Sequence, residues 1–324
     1  MLMLAYILIG AAFAFAFSMG AHYTGACMGM PYAAGAIRAG PALLMMAPLT
    51  LLGAVLASGA VEGTVGHGIL ASSSVSIGLA LAIVLAAFGL TSVYNLARVP
   101  TSTIQILVFS AVGAGWAAGI PIRWSTIATL LVLWAVAPLA AFALGYLLVR
   151  LADRLRPSVQ APGPLTAAAL VGLVGVGGVA SFAMGANDVS NASGAFIMTG
   201  LFGLMAAALI GGIGLALGVL TWGRPLLERV AFDIVKLDAR MATVAQLSQA
   251  AVILGYVAFG YFTSMNQALV GSMIGVGVAR RTAGDSPVLW NAVKGIITGW
   301  AIGPLSGAGL GFALVLAFRP LHLL

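Results

Sequence analysis

The chain has 324 residues, 62% of them hydrophobic and 6% charged, with a net charge of +7. Soluble domains carry about 25% charged residues, so this composition excludes a soluble enzyme or a nucleic-acid-binding domain and specifies an integral membrane protein. The basic residues sit in short loops, where they orient spans, and the unbroken apolar runs exclude a β-barrel.

Those runs cover roughly residues 2–19, 25–37, 41–60, 76–97, 101–118, 124–149, 165–184, 187–199, 201–222, 242–262, 264–279 and 288–318. At about 20 residues per span they predict an all-α polytopic membrane fold of about 10–12 transmembrane helices. Runs 25–37, 101–118, 187–199 and 264–279 are too short to cross alone and are expected to be half-helices or re-entrant segments. The first run, Met1–Phe17, lacks a basic leading region and reads as a retained span, not a cleaved signal. Cys27 is the single cysteine, so no intramolecular disulfide can form. Glu62 and His67 fall in a glycine-rich outer loop and are expected to be solvated. Gly223–Arg240 alternates charged and apolar residues and is expected to be an amphipathic helix on the inner surface.

The chain also repeats itself. Phe17-Ser-Met-Gly-Ala21 matches Phe182-Ala-Met-Gly-Ala186, Thr101-Ser-Thr-Ile-Gln105 matches Thr263-Ser-Met-Asn-Gln267, and Trp134-Ala-Val-Ala-Pro138 matches Trp300-Ala-Ile-Gly-Pro304. Three blocks in one order define halves 1–160 and 165–324, joined by a basic linker at 150–164. Loop Gly223–Arg240 carries Arg224, Arg229, Lys236 and Arg240, whereas its counterpart Ser58–Ser74 carries no Lys or Arg. Equivalent loops therefore lie on opposite membrane faces, and the halves are inverted repeats. With both termini outside, the inner face receives Arg38, Arg98, Arg150, Arg154, Arg156, Arg224, Arg229, Lys236, Arg240, Arg280 and Arg281. The outer face receives Arg123 and Arg319, which is the positive-inside bias of a cell inner membrane protein.

Gly185-Ala-Asn-Asp-Val-Ser-Asn-Ala-Ser-Gly194 lies between two long apolar runs and holds Asp188, a carboxylate at membrane depth. Such a group is costly there and marks a functional site. Gly20, Gly25, Gly29, Gly185 and Gly194 are expected to break the helices at 20–29 and 185–194, because glycine tolerates unwound backbone. Thr101 follows Pro100, which would make Thr101 part of a helix's first turn, and Thr263-Ser264 reads as an N-cap. Four helix N-termini facing one another, with no Lys or Arg among them, would hold an anion by backbone N–H groups and hydroxyls. The donors are Thr24, Ser190, Ser193, Thr101, Ser102, Thr103, Thr263 and Ser264, with Gln105, Asn266 and Gln267 beside them. Asp188, Asn187 and Asn191 would hold the coupling proton or sodium ion, and His22 with Tyr23 are candidate proton relays. No nucleophile–base pair, phosphate-cradling loop or metal-ligand cluster stands out, so neither an enzyme nor a cofactor is expected.

The motif 185–194 resembles the signature of the inorganic phosphate transporter (PiT) family, and Ser110-Ala-Val-Gly-Ala-Gly115 with Ser272-Met-Ile-Gly-Val-Gly277 resembles its second repeated block. The resemblance implies an ion-coupled symporter of an inorganic oxyanion in the lipid bilayer, in many members a homodimer. Phosphate members carry Asn-Asp in both halves, but here His22-Tyr23 stand opposite Asn187-Asp188. That altered motif is similar to the family's CysP-type sulfate permease branch. Sulfate has only acceptors, whereas phosphate keeps a proton to share with a carboxylate, so a site with one acid favours sulfate and proton coupling. Phosphate carriage with sodium or protons is the alternative, and a passive anion channel a further one.

Overall fold

The computed structural model describes residues 2–72, 75–97, 101–155, 167–230, 238–280, 288 and 290–324. Its helices are α1 (Leu2–His22), α2 (Thr24–Ala33), α3 (Ala39–Ala57), α4 (Gly59–His67), α5 (Ile77–Ala97), α6 (Thr103–Ala118), α7 (Trp124–Leu155), α8 (Ala167–Met198), α9 (Leu204–Trp222), α10 (Arg224–Val230), α11 (Ala239–Ala258), α12 (Met265–Ala279) and α13 (Trp290–Phe318). Counting α1 with α2 as one, 8 segments among the described residues are long and apolar enough to cross a membrane, and α6 and α12 are shorter apolar helices. The fold is all-α, as expected for chain whose backbone polar groups must be satisfied without water. Outward faces of α7 and α13 expose Leu131, Val132, Leu139 and Leu305, a surface suited to lipid.

Helices α5 and α6 form a hairpin. Their open end is tied to the start of α7, since Ala71 N–H donates to Pro121 O at 2.8 Å and Arg123 N–H to Ile69 O at 3.0 Å. Helices α11 and α12 form a second hairpin, whose open end is tied to the finish of α7. There Asp153 accepts from Arg240 at 3.0 Å and from Arg280 Nε at 2.9 Å. Because α7 has 32 residues and is about 48 Å long, the hairpins enter from opposite ends and their tips meet in the middle. The short runs expected at 101–118 and 264–279 are the returning arms of these hairpins.

The halves interlock. A methyl placed on Gly185 of α8 would lie 1.9 Å from Thr50 O of α3, and one on Gly20 of α1 would lie 2.0 Å from Leu215 O of α9. Likewise Gly113 of α6 abuts Ala308 O of α13, and Gly275 of α12 abuts Phe142 O of α7. Each of these contacts joins residues from different halves, and backbone touches backbone because no side chain intervenes.

Three expectations change. Helix α8 runs without interruption through Gly185 and Gly194, and near Gly20, Gly25 and Gly29 the helix departs from regularity only at Tyr23 (φ −95°, ψ 3°). Even there Tyr23 N–H bonds Met19 O at 3.2 Å and Cys27 N–H bonds Tyr23 O at 3.0 Å. Gly20 and Gly185 serve close helix approach instead of unwinding. The supposed outer loop holds α4, and Glu62 is 1% exposed, because α4 lies against α8. Of the inner-surface amphipathic stretch, α10 forms over Arg224–Val230, while 231–237 lies outside the described residues, as do Arg98, Pro100, Arg156 and Arg281.

Candidate anion and coupling-ion site

The site is built at the hairpin tips. Ser102 (φ −101°, ψ 99°) caps α6, its hydroxyl accepting from Gln105 N–H at 3.4 Å. Ser264 (φ −79°, ψ 118°) caps α12 by accepting from Gln267 N–H at 3.3 Å. Extended backbone at a cap lets a serine oxygen reach the third amide, so α6 starts at Thr103 and Thr101 stands outside the helix. Each cap serves one of the free first-turn N–H groups, and the positive helix ends remain at the tips.

Gln105 and Gln267 pair across the tips, Nε2 to Oε1, at 3.4 and 3.1 Å. They line a recess of about 330 Å³ together with Leu131, Trp134, Pro138, Ile297 and Trp300. Thr101 and Thr263 are fully buried, and neither hydroxyl has a partner. A buried polar group left unpaired costs roughly 1–3 kcal/mol, so two of them at matched positions are donors with a use.

The motif helices hold the tips in place. Asn187 Nδ2 donates to Thr263 O at 2.8 Å and its Oδ1 accepts from Thr263 N–H at 3.0 Å. His22 holds the other tip differently. Asn95 spends its amide N–H groups on Ser18 O and Oγ at 2.9 and 3.0 Å, so its Oδ1 accepts from His22 Nδ1–H. With the proton on Nδ1, His22 Nε2 accepts from Thr101 N–H at 3.4 Å and from Asn266 Nδ2 at 3.2 Å. Asn266 also donates to Thr101 O at 2.9 Å, completing what one ring nitrogen cannot do. In this pattern His22 Nε2 is an acceptor at the tip, with Thr101 O also 3.2 Å from it.

Asp188 is fully buried. Asn187 Nδ2 donates to its Oδ2 at 3.0 Å, and Asn191 Nδ2 approaches its Oδ1 at 3.5 Å. Tyr23 Oη lies 2.7 Å from Thr103 Oγ1, which ties the motif helix to the first turn of α6. None of the ion pairs among the described residues includes Asp188. Its neighbourhood is one of amides and hydroxyls, suited to a proton or a small cation.

The remaining expected donors are engaged elsewhere. Thr24 Oγ1 donates to Gly223 O at 2.7 Å, and Ser190 Oγ to Asn187 O at 3.0 Å. Ser193 Oγ lies 3.0 Å from Val189 O and 2.7 Å from Glu62 Oε1. Sequence reading placed Glu62 in solvent and missed Asn95 altogether. A lone acid in an otherwise apolar stretch was the available signal for Glu62; nothing local pairs Asn95 with a histidine 73 residues away.

The model of the phosphate transporter family matches the chain twice, over residues 19–175 and 165–311. Sulfate permease CysP of Bacillus subtilis is 27% identical over 305 residues, 94% of this chain and 85% of its own length. A Mycobacterium leprae protein named "Probable low-affinity inorganic phosphate transporter" is 28% identical over 345 residues, 98% of this chain and 83% of its own. A solved structure described as the sodium-dependent phosphate transporter shares the fold, with a TM-score of 0.87 over 98% of this chain and 99% of that one, at 22% identity.

Proposed function

The chain belongs to the phosphate transporter family, and we propose that within it this multi-pass membrane transporter of an inorganic anion is a proton-coupled symporter that takes sulfate first. The observation that carries this reading is the meeting of two capped helix N-termini, with the unpartnered Thr101 and Thr263 hydroxyls, beside a motif carrying one acid. Ser102, Ser264, Thr103 and the two glutamines complete the anion's surroundings, and Asp188 with Asn187 and Asn191 takes the coupling ion. Tyr23 in place of a second carboxylate supports sulfate, because a dianion without protons is repelled by ionised acids and attracted by donors.

Phosphate is the second reading, favoured by the family's phosphate carriers and by the capacity of Tyr23 to donate to either anion. The halves 1–160 and 165–324 act as the inverted repeat units, both termini lie outside the inner membrane, and the assembly is a homodimer. Alternating access follows from hairpins that enter from opposite faces and meet at the centre. Uptake of labelled sulfate into vesicles, with excess unlabelled phosphate and with imposed pH or sodium gradients, tests the substrate and the coupling ion. Accumulation driven by the pH gradient and resistant to phosphate is expected; flux that never exceeds equilibrium would make the protein a channel.

A further inference from the structure

We propose that Glu62 is a second proton-binding carboxylate of the carrier, placed one and a half turns beyond Asp188 on the same helix contact. The inference rests on the proton-coupled reading above. Glu62 is 1% exposed, its Oε2 has no hydrogen-bond partner, and none of the ion pairs among the described residues includes it. A buried carboxylate without a cation is costly unless it holds a proton.

The contact with Ser193 gives that proton an acceptor. Ser193 has one hydroxyl hydrogen, yet its Oγ lies 3.0 Å from Val189 O and 2.7 Å from Glu62 Oε1. One hydrogen serves two acceptors only by sharing itself in a weaker three-centre bond. If Glu62 is protonated on Oε1, its O–H donates to Ser193 Oγ and the serine O–H donates to Val189 O, so both contacts are made. If Glu62 is ionised, the serine hydrogen turns to the carboxylate and Val189 O loses it. Gain or loss of one proton is thus coupled to a single hydroxyl rotation on the helix that carries Asp188.

The surroundings add no competing charge. Helices α3 and α9 carry no titratable residue, α8 carries only Asp188, and α11 carries Arg240 at its far end and Tyr256, whose hydroxyl donates to Leu133 O at 2.8 Å. His67 lies on α4 itself. Burial raises the Glu62 carboxyl from 4.5 to about 6, against the pull of the Ser193 hydrogen bond. Ser193 lies five residues beyond Asp188, about 7.5 Å along the helix axis. Protonating Glu62 removes a negative charge beside the helix that carries Asp188, and releasing the proton restores it.

Reconstituted full-length protein tests this with two readouts. The first compares wild type, E62Q and E62D in uptake of labelled sulfate and labelled phosphate driven by a pH gradient, and in anion exchange at equal pH. E62Q is expected to keep exchange while pH-driven accumulation falls to the level of protein-free vesicles, and E62D to restore accumulation. Unchanged pH-driven accumulation in E62Q overturns the proposal. The second is the infrared band of a protonated carboxyl in wild type minus E62Q, expected to vanish as pH rises through about 6. That band decides the matter if E62Q loses exchange as well, and its absence overturns the proposal. Wild-type uptake indifferent to pH, with the band present, would sink proton coupling and leave Glu62 as a proton site.

Discussion

Asn187 holds the Thr263 peptide by both its groups, donating to the carbonyl at 2.8 Å and accepting from the N–H at 3.0 Å. The same amide also donates to Asp188 at 3.0 Å. One side chain therefore fixes a hairpin tip relative to the buried acid. Asn187→Ala should strand two buried backbone groups and cost about 2–4 kcal/mol, read by unfolding in detergent, with coupled uptake lost even where protein is recovered.

The first tip is held by a pair, and that pair can be dissected. Removing the amide of Asn266 with N266L leaves Thr101 O without its donor at 2.9 Å. Adding H22N gives position 22 an amide like that of Asn187, able to donate to Thr101 O. The double variant should regain about 1 kcal/mol over N266L alone. A double variant no more stable than N266L alone would refute the idea that an amide at position 22 can hold this tip as Asn187 holds the other.

Glycine at 185 is a contact, not a hinge. A methyl there would meet Thr50 O at 1.9 Å, whereas one at Gly172 on the same helix meets nothing within 4 Å. G185A should cost several kcal/mol through forced helix separation and G172A should be neutral or mildly stabilising, compared by thermal stability of purified protein. Equal tolerance of both would restore the hinge reading.

Asp153 ties α7 to Arg240 and Arg280, side chains that are 19–31% exposed. Pairs this accessible contribute about 0–1 kcal/mol each and are screened by salt. D153N should lower stability by no more than about 2 kcal/mol, with the difference shrinking as salt is added.

Glu62 makes stability depend on pH in a defined direction. Its carboxyl titrates near 6 when folded and near 4.5 when free. Below 4.5 both states hold the proton; as pH rises through 6 the folded state must release it at a cost, so stability falls across that window. E62Q lacks this fall, and the gap between the two unfolding curves between these pH values measures it.

Much of the architecture was legible because lipid imposes one rule on every span. Continuous apolar runs fix an all-α bundle; of the four runs too short to cross, 101–118 and 264–279 return as hairpin arms, whereas 25–37 continues the first span and 187–199 is the end of α8. The hydroxyl stretches were correctly placed at helix starts because an extended serine before a helix caps it. Glycine was misread, since the same residue permits both unwinding and close approach, and only the neighbouring helix distinguishes them. Glu62 was misread because a short glycine-rich stretch looks like a loop until α8 covers it.

By itself the sequence determined a membrane-embedded helical protein, a repeated polar motif and a buried acid, since hydropathy and residue spacing are local properties. Only the tertiary structure decided that α8 stays helical, that Asn187 and His22 grip the two tips, and that Glu62 meets Ser193. Each of these depends on helices from different parts of the chain meeting inside the bundle, where a polar group takes whichever partner the packing brings within reach.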